Sequence, residues 1–204
     1  MNSQSHWQSV YQTKRAHEVS WYRAHLDVSL ALIEQAAPNR DARIIDIGGG
    51  EATLVDDLLA RGYRHLSVLD LSSTALEVAR TRLGGSANDV SWHCADVTTF
   101  AFPEHRYDLW HDRAMFHFLT RAEDRAAYVR QLVRAVKPGG HVIVATFGPE
   151  GPTRCSGLDI VRYDAQTLHH EFGERFQWVR HVAEWHRTPA GTDQQFVYCY
   201  GNVT

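Results

Sequence analysis

Two periodicities divide this chain. Short apolar runs of six to eight residues stand at 42–47 (ARIIDI), 65–70 (HLSVLD), 89–96 (DVSWHCAD), 107–112 (YDLWHD) and 141–147 (HVIVATF). They are rich in β-branched and aromatic residues and are closed by glycine or acidic residues, which predicts buried parallel strands. Between them lie stretches with helical spacing. Residues 5–15 and 21–36 read as two helices, with Trp21, His25, Val28, Leu32 and Ala36 on one face and Pro38 as the stop. Residues 52–61 read as a third helix, closed by Gly62, and Ser72 caps a fourth that runs to about Arg82 before Gly84 and Gly85. A long helix is expected over about 121–136, ending at Lys137-Pro138-Gly139-Gly140, and a short one from an Asp164 cap to Gly173. The last two runs, 176–187 and 194–200, flank TPAGTD and read as an antiparallel hairpin.

Strands alternating with helices predict an α/β fold with a doubly wound sheet, because right-handed crossovers place helices on both faces. Residues 1–38 read as an N-terminal helical extension and 39–204 as a single ligand-binding domain; no repeat or flexible linker divides it.

Composition narrows the function classes. The chain has 204 residues, 44% hydrophobic and 22% charged, enough to bury a core without disulfides or metals. A net charge of −3 argues against a chain-wide attraction to nucleic acid or an anionic membrane. Cys94, Cys155 and Cys199 are scattered, odd in number and lack zinc spacing, which fits a reducing, cytoplasmic compartment. No metal is expected, and the sequence does not specify an oligomeric state.

The chemistry gathers at the strand ends. Asp46-Ile47-Gly48-Gly49-Gly50-Glu51-Ala52 lies between a strand and a helix, the crevice where open α/β sheets bind ligands. Gly48 and Gly50 match the first two glycines of a dinucleotide fingerprint, but Thr53 stands at the third. The Asp46 carboxylate suits a ligand carrying an ammonium group and would repel a pyrophosphate. Asp70 ends the second strand, where an acidic residue can accept both hydroxyls of a ribose. Asp96 ends the third, where it could accept from an adenine amine while the Val97 amide donates to the ring and Leu71 and Val97 sandwich the base.

With these motifs in order, residues 40–200 resemble the class I S-adenosylmethionine-dependent methyltransferase family. RIIDIGGGEA resembles its first motif, SVLDLS its ribose motif and CADV its adenine motif; YDLWHDRAMFHFL and KPGGHVIVATF resemble its fourth- and fifth-strand segments. Glu51 departs from the small residue common at its position. The resemblance implies a Rossmann-like seven-stranded sheet of order 3-2-1-4-5-7-6 with strand 7 antiparallel. It also implies S-adenosylmethionine as cofactor, S-adenosylhomocysteine as product, and Gly48, Gly49 and Gly50 beside the methionine end.

The donor is already electrophilic, so the family does not dictate a catalytic residue; a base is needed only for a protonated acceptor. His111 and Asp112, at the end of the fourth strand, are the candidate catalytic groups, with Arg113 and His117 near them for the acceptor. Tyr11 and Trp21 are expected in a lid, and Cys155 in the loop 148–162 over the same edge. The acceptor reads as a small molecule, with S, N and O nucleophiles all open. A protein lysine remains an alternative, predicting an open acidic channel, and an NAD-type oxidoreductase or non-catalytic nucleotide binder is a third.

Overall fold

A computed structural model describes residues 3–204. Its helices are α1 (Ser3–Thr13), α2 (Asp27–Ala36), α3 (Leu54–Ala60), α4 (Ser73–Leu83), α5 (Ala122–Ala135) and α6 (Ala165–Phe172). Its strands are β1 (Arg43–Ile47), β2 (His65–Asp70), β3 (Val90–Cys94), β4 (Tyr107–Arg113), β5 (Val136–Phe147), a two-residue ribbon β6 (Arg154–Cys155) and β7 (Leu158–Asp159), then β8 (Phe176–Arg187) and β9 (Asp193–Val203). The main sheet runs β3-β2-β1-β4-β5-β9-β8, with β1 to β5 parallel and β9 antiparallel to both neighbours. Counting only strands of this sheet, that is the expected order with an antiparallel seventh strand.

Successive strand residues face opposite sides, so each central strand feeds two cores. Ile44, Val68, Leu109 and Ile143 pack beneath α2 and α3 with Leu30, Ile33 and Leu58. Ile45, Leu69, Trp110 and Val144 pack on the other face with Leu132 of α5 and Phe172 of α6. Each fully buried aliphatic or aromatic side chain contributes roughly 1.5–3 kcal/mol. Within the expected N-terminal extension, α2 supplies Leu30 and Ile33 to this core.

Two boundaries differ from expectation. Residues 21–26 form an irregular strap and not the first turns of α2. Their carbonyls, and that of Ser20 just before them, are claimed by the domain: the Thr53 hydroxyl donates to Ala24 O (2.7 Å), Arg113 Nη1 to Trp21 O (3.2 Å), and the His186 ring contacts Ser20 O (2.7 Å). These tertiary partners outweigh local helical spacing. The fifth strand starts at Val136, directly after α5, but Tyr107 pairs Val136 and Leu109 already pairs His141. The Pro-Gly-Gly segment is therefore a bulge, where proline's missing donor costs no ladder bond. Both helix caps formed as read: Ser72 accepts from the Ala75 amide and Asp164 from the Thr167 amide.

Candidate active site

At the carboxyl edge of the sheet lies a cavity of about 220 Å³. Strand tips form one side of it, and α1, the strap, the turn after β4 and the β6–β7 ribbon close the other. Beside it, a smaller recess runs under the glycine bend, lined by Asp46, Gly48, Gly49, Glu51, His111 and Arg113 among others.

The bend depends on glycine at two points. Gly48 (φ +68°) and Gly50 (φ +52°) are left-handed, a conformation costly for residues with a Cβ. A Cβ on Gly50 would sit 2.6 Å from the Tyr11 hydroxyl, so α1 rests directly on this backbone.

Asp70 is buried at the tip of β2. Its carboxylate accepts from the Ser72 amide (2.8 Å), with the Gly50 and Leu71 amides also contributing. Burial pushes its pKa up to about 6 against the pull of those amides. Asp96 is exposed, and both Thr98 bonds go to its Oδ1 (2.8 Å from N, 2.6 Å from Oγ1). Asp70, Leu71, Asp96, Val97 and Gly48 all line the cavity, so the sheet brings these expected donor residues to one wall.

Asp46 is placed differently. Its carboxylate receives the Nδ1–H of His111 (2.7 Å), and a Cβ on Gly49 would meet its Oδ2 at 2.5 Å. It borders the recess and not the main cavity. His111 Nε2 in turn sits 2.9 Å from Ser29 Oγ, leaving the ring 1% exposed. Asp112 is fully buried on the opposite face of β4. Its carboxylate accepts from the Met115 amide (3.0 Å), the Phe116 amide (3.2 Å) and the Tyr128 hydroxyl (2.8 Å), and burial raises its pKa to about 7. His111 and Asp112 therefore lie apart and off the main cavity wall: strand alternation turns Asp112 into the α5 core, and the bonds to Asp46 and Ser29 hold His111 beneath the bend, on the recess.

His117 also stays off the main cavity wall. It lies in a short 3-10 turn (Phe116–Phe118), is fully buried, and its Nδ1 accepts from the Phe147 amide (3.2 Å). Burial, and then the charge of Arg113, lower its pKa to about 3, so it is neutral and off the cavity wall. Tyr11, Trp21, Arg113 and Cys155 do line the cavity. Burial, then the charges of Asp70 and Glu51, push the Tyr11 hydroxyl well up. Burial raises the Cys155 thiol to about 11, so it is no thiolate near neutral pH.

Met115, Leu119, Asp124 and Leu158 on the wall carried no sequence signal. They complete the side opposite the strand tips, where Trp7 of α1 packs edge-on against Phe118 (4.9 Å) and Trp21 (5.9 Å). They come from elements that only tertiary packing brings together.

A family model described as a methyltransferase domain matches residues 44–140, from β1 into β5. A ubiquinone biosynthesis O-methyltransferase of Aromatoleum aromaticum is 31% identical over 143 residues, covering 69% of this chain and 56% of that protein. The chain belongs to the class I S-adenosylmethionine-dependent methyltransferase family. A second member, a ubiquinone/menaquinone biosynthesis C-methyltransferase of Roseobacter denitrificans, is 26% identical over 57% of this chain and 47% of that protein. The chain thus spans about half the length of these curated methyltransferase relatives. Among solved structures, the Burkholderia thailandensis 1,6-didemethyltoxoflavin-N1-methyltransferase, with 1,6-didemethyltoxoflavin and S-adenosylhomocysteine bound, shares the fold at TM-score 0.74 and 19% identity, covering 98% of this chain and 87% of that one. Among the described residues, no helix is long and apolar enough to cross a membrane.

Proposed function

We propose that this chain transfers a methyl group from S-adenosylmethionine to a small-molecule nucleophile, releasing S-adenosylhomocysteine. The carrying observation is the convergence of Asp70, Asp96, Leu71 and Val97 with the glycine bend along one cavity wall. The residues present fit the cofactor. Asp70 would hold the ribose hydroxyls, Asp96 Oδ2 the adenine amine, and Leu71 and Val97 the faces of the base. In the recess, Glu51 is buried with an Oε1 that lacks a partner, a vacancy suited to an ammonium group. When bound, the cofactor supplies a methyl group on a sulfonium, already activated for transfer.

What remains for the protein is positioning and exclusion of water. Trp7, Tyr11 and Trp21 close the cavity, and their rings suit a sulfonium neighbour. The relatives named for quinone methylation and the fold neighbour holding a toxoflavin precursor support a small-molecule acceptor. Aromatic and aliphatic side chains dominate the acceptor side, so no acidic channel favours a protein lysine. Three unpaired cysteines accord with the cytoplasm as its compartment.

Thermal unfolding tests the reading. S-Adenosylhomocysteine at about 100 times its Kd should stabilise the fold by about 2.7 kcal/mol, a rise of several degrees in Tm. NAD should leave Tm unchanged; stabilisation by NAD alone would refute the proposal. A panel of small thiols, amines, phenols and carboxylic acids, scored by S-adenosylhomocysteine release, then identifies the acceptor.

A further inference from the structure

Arg113 is the one Lys, Arg or His on the cavity wall among the described residues. It stands at the C-terminal tip of β4, and its guanidinium is held rigidly. Nε donates to the Tyr198 hydroxyl (2.9 Å), Nη1 to Trp21 O (3.2 Å), and the plane lies over the Phe196 ring at 4.2 Å. Nη2 is buried without a hydrogen-bond partner. The nearest carboxylate oxygen, Glu184 Oε2, is 3.7 Å away, outside hydrogen-bond range. Glu184 is already engaged by Arg23 Nη1 (2.7 Å) and by the Tyr198 hydroxyl (3.0 Å). Arg23 also lies 3.9 Å from Asp27, so Arg113 has only a shared carboxylate beyond hydrogen-bond range, and its Nη2 keeps an unused donor.

A buried cation with an unused donor is costly unless something takes it. The surrounding wall is aromatic and aliphatic: Trp7, Trp21, Met115 and Phe118. We infer that Arg113 is the anion receptor of this cavity, its Nη2 taking the carboxylate or oxyanion of a flat, largely apolar acceptor. This rests on the reading of the cavity as a methyl-transfer chamber. Arginine suits the task because it stays charged and its fork presents donors in a fixed plane. The donor's own α-carboxylate carries the same chemistry, since Arg113 also lines the recess under the glycine bend.

The test uses the intact protein and reads tryptophan fluorescence, which Trp7 and Trp21 report from the wall. With S-adenosylhomocysteine saturating, benzoate and 1-naphthoate should bind at least tenfold tighter than benzamide and 1-naphthamide. Arg113→Met should erase that preference and Arg113→Lys should keep part of it. In a second arm, S-adenosylhomocysteine and 5′-methylthioadenosine, which lacks the amino-acid tail, are titrated without acceptor probes. A loss in Arg113→Met of S-adenosylhomocysteine affinity alone would assign the anion to the donor tail and still support an anion receptor. Equal binding of acids and amides in the wild type, with unchanged donor affinity in the variant, would overturn the inference. The wild-type comparison stands even if Arg113→Met fails to fold. Failure of the wild type to bind S-adenosylhomocysteine at all would instead sink the methyltransferase reading.

Discussion

The two sides of the cavity are built differently. The proposed donor side consists of the tips of β1, β2 and β3, whose positions are fixed by parallel ladders and by cores on both faces. The proposed acceptor side is assembled from α1, the strap, the turn after β4 and the β6–β7 ribbon, held by ring contacts and a few side-chain bonds. The first needs exact backbone geometry around a ligand common to a family. The second can change a chemical specificity by exchanging side chains, without disturbing a ladder.

The largest expected effect strikes the hinge between the two sides. Asp112 ties the amides of Met115 and Phe116 to β4 and so sets the turn that carries Met115 and Phe118 into the wall. Asp112→Ala should cost about 3 kcal/mol in urea unfolding, because buried donors are orphaned. A cost below about 1 kcal/mol would mean that the turn is held by something else. The same carboxyl gives a pH signature. Its folded pKa, raised to about 7, lies above the unfolded value, so the protonated form is favoured in the native state. Its stabilising contribution is complete below about pH 4 and is lost as pH rises toward 7. Asp112→Asn should therefore gain stability relative to wild type across that window, and a constant difference would contradict the placement.

Next comes the bend on which the donor side depends. Gly50→Ala forces a Cβ into a left-handed position and against the Tyr11 hydroxyl. We expect a stability loss of about 1–2 kcal/mol and a weaker grip on S-adenosylhomocysteine, both visible in one ligand-dependent melting series. Unchanged melting with and without ligand would show that α1 does not rest on the bend.

A smaller effect follows from Asp70. With its pKa raised to about 6, the unliganded carboxyl protonates in mildly acidic solution. If the ionised form accepts the ribose hydroxyls, S-adenosylhomocysteine affinity should fall as pH drops through 6, approaching tenfold per pH unit below it. Isothermal titration from pH 5 to 8 checks this, and a flat profile would remove Asp70 from the ribose site. The smallest effect is expected at Gln8, which reaches from α1 to Ser72 Oγ (3.0 Å) and Thr74 Oγ1 (2.5 Å). Gln8→Ala should loosen the lid by about 0.5–1.5 kcal/mol, raising hydrogen exchange in α1 and leaving the β2 amides protected.

The same contrast explains what the sequence made legible. RIIDIGGGEA, SVLDLS and CADV mark the donor side because each strand must end in a particular residue at a particular sharp turn. Glu51 stood out as a departure, but its buried, unpartnered oxygen became visible only in three dimensions. His111, Asp112 and His117 are neighbours along the chain, but alternation on β4 and the burial of the following turn send them to the recess, the α5 core and the interior in turn. Helical spacing places Trp21 on a helix, but it reaches the wall from the strap, because the side chains of Thr53 and Arg113 take the backbone bonds that a helix would have used. No local spacing encodes the meeting of Trp7 with Phe118, since their elements approach only after folding.

Titration of S-adenosylhomocysteine into the wild type and Asp70→Asn by calorimetry tests the central claim most directly. Asparagine keeps an oxygen for the Ser72 amide while removing the charge. The account predicts one saturable site in the wild type and an affinity at least tenfold lower in Asp70→Asn, with both proteins folded. Equal affinities, or no binding by the folded wild type, would contradict it.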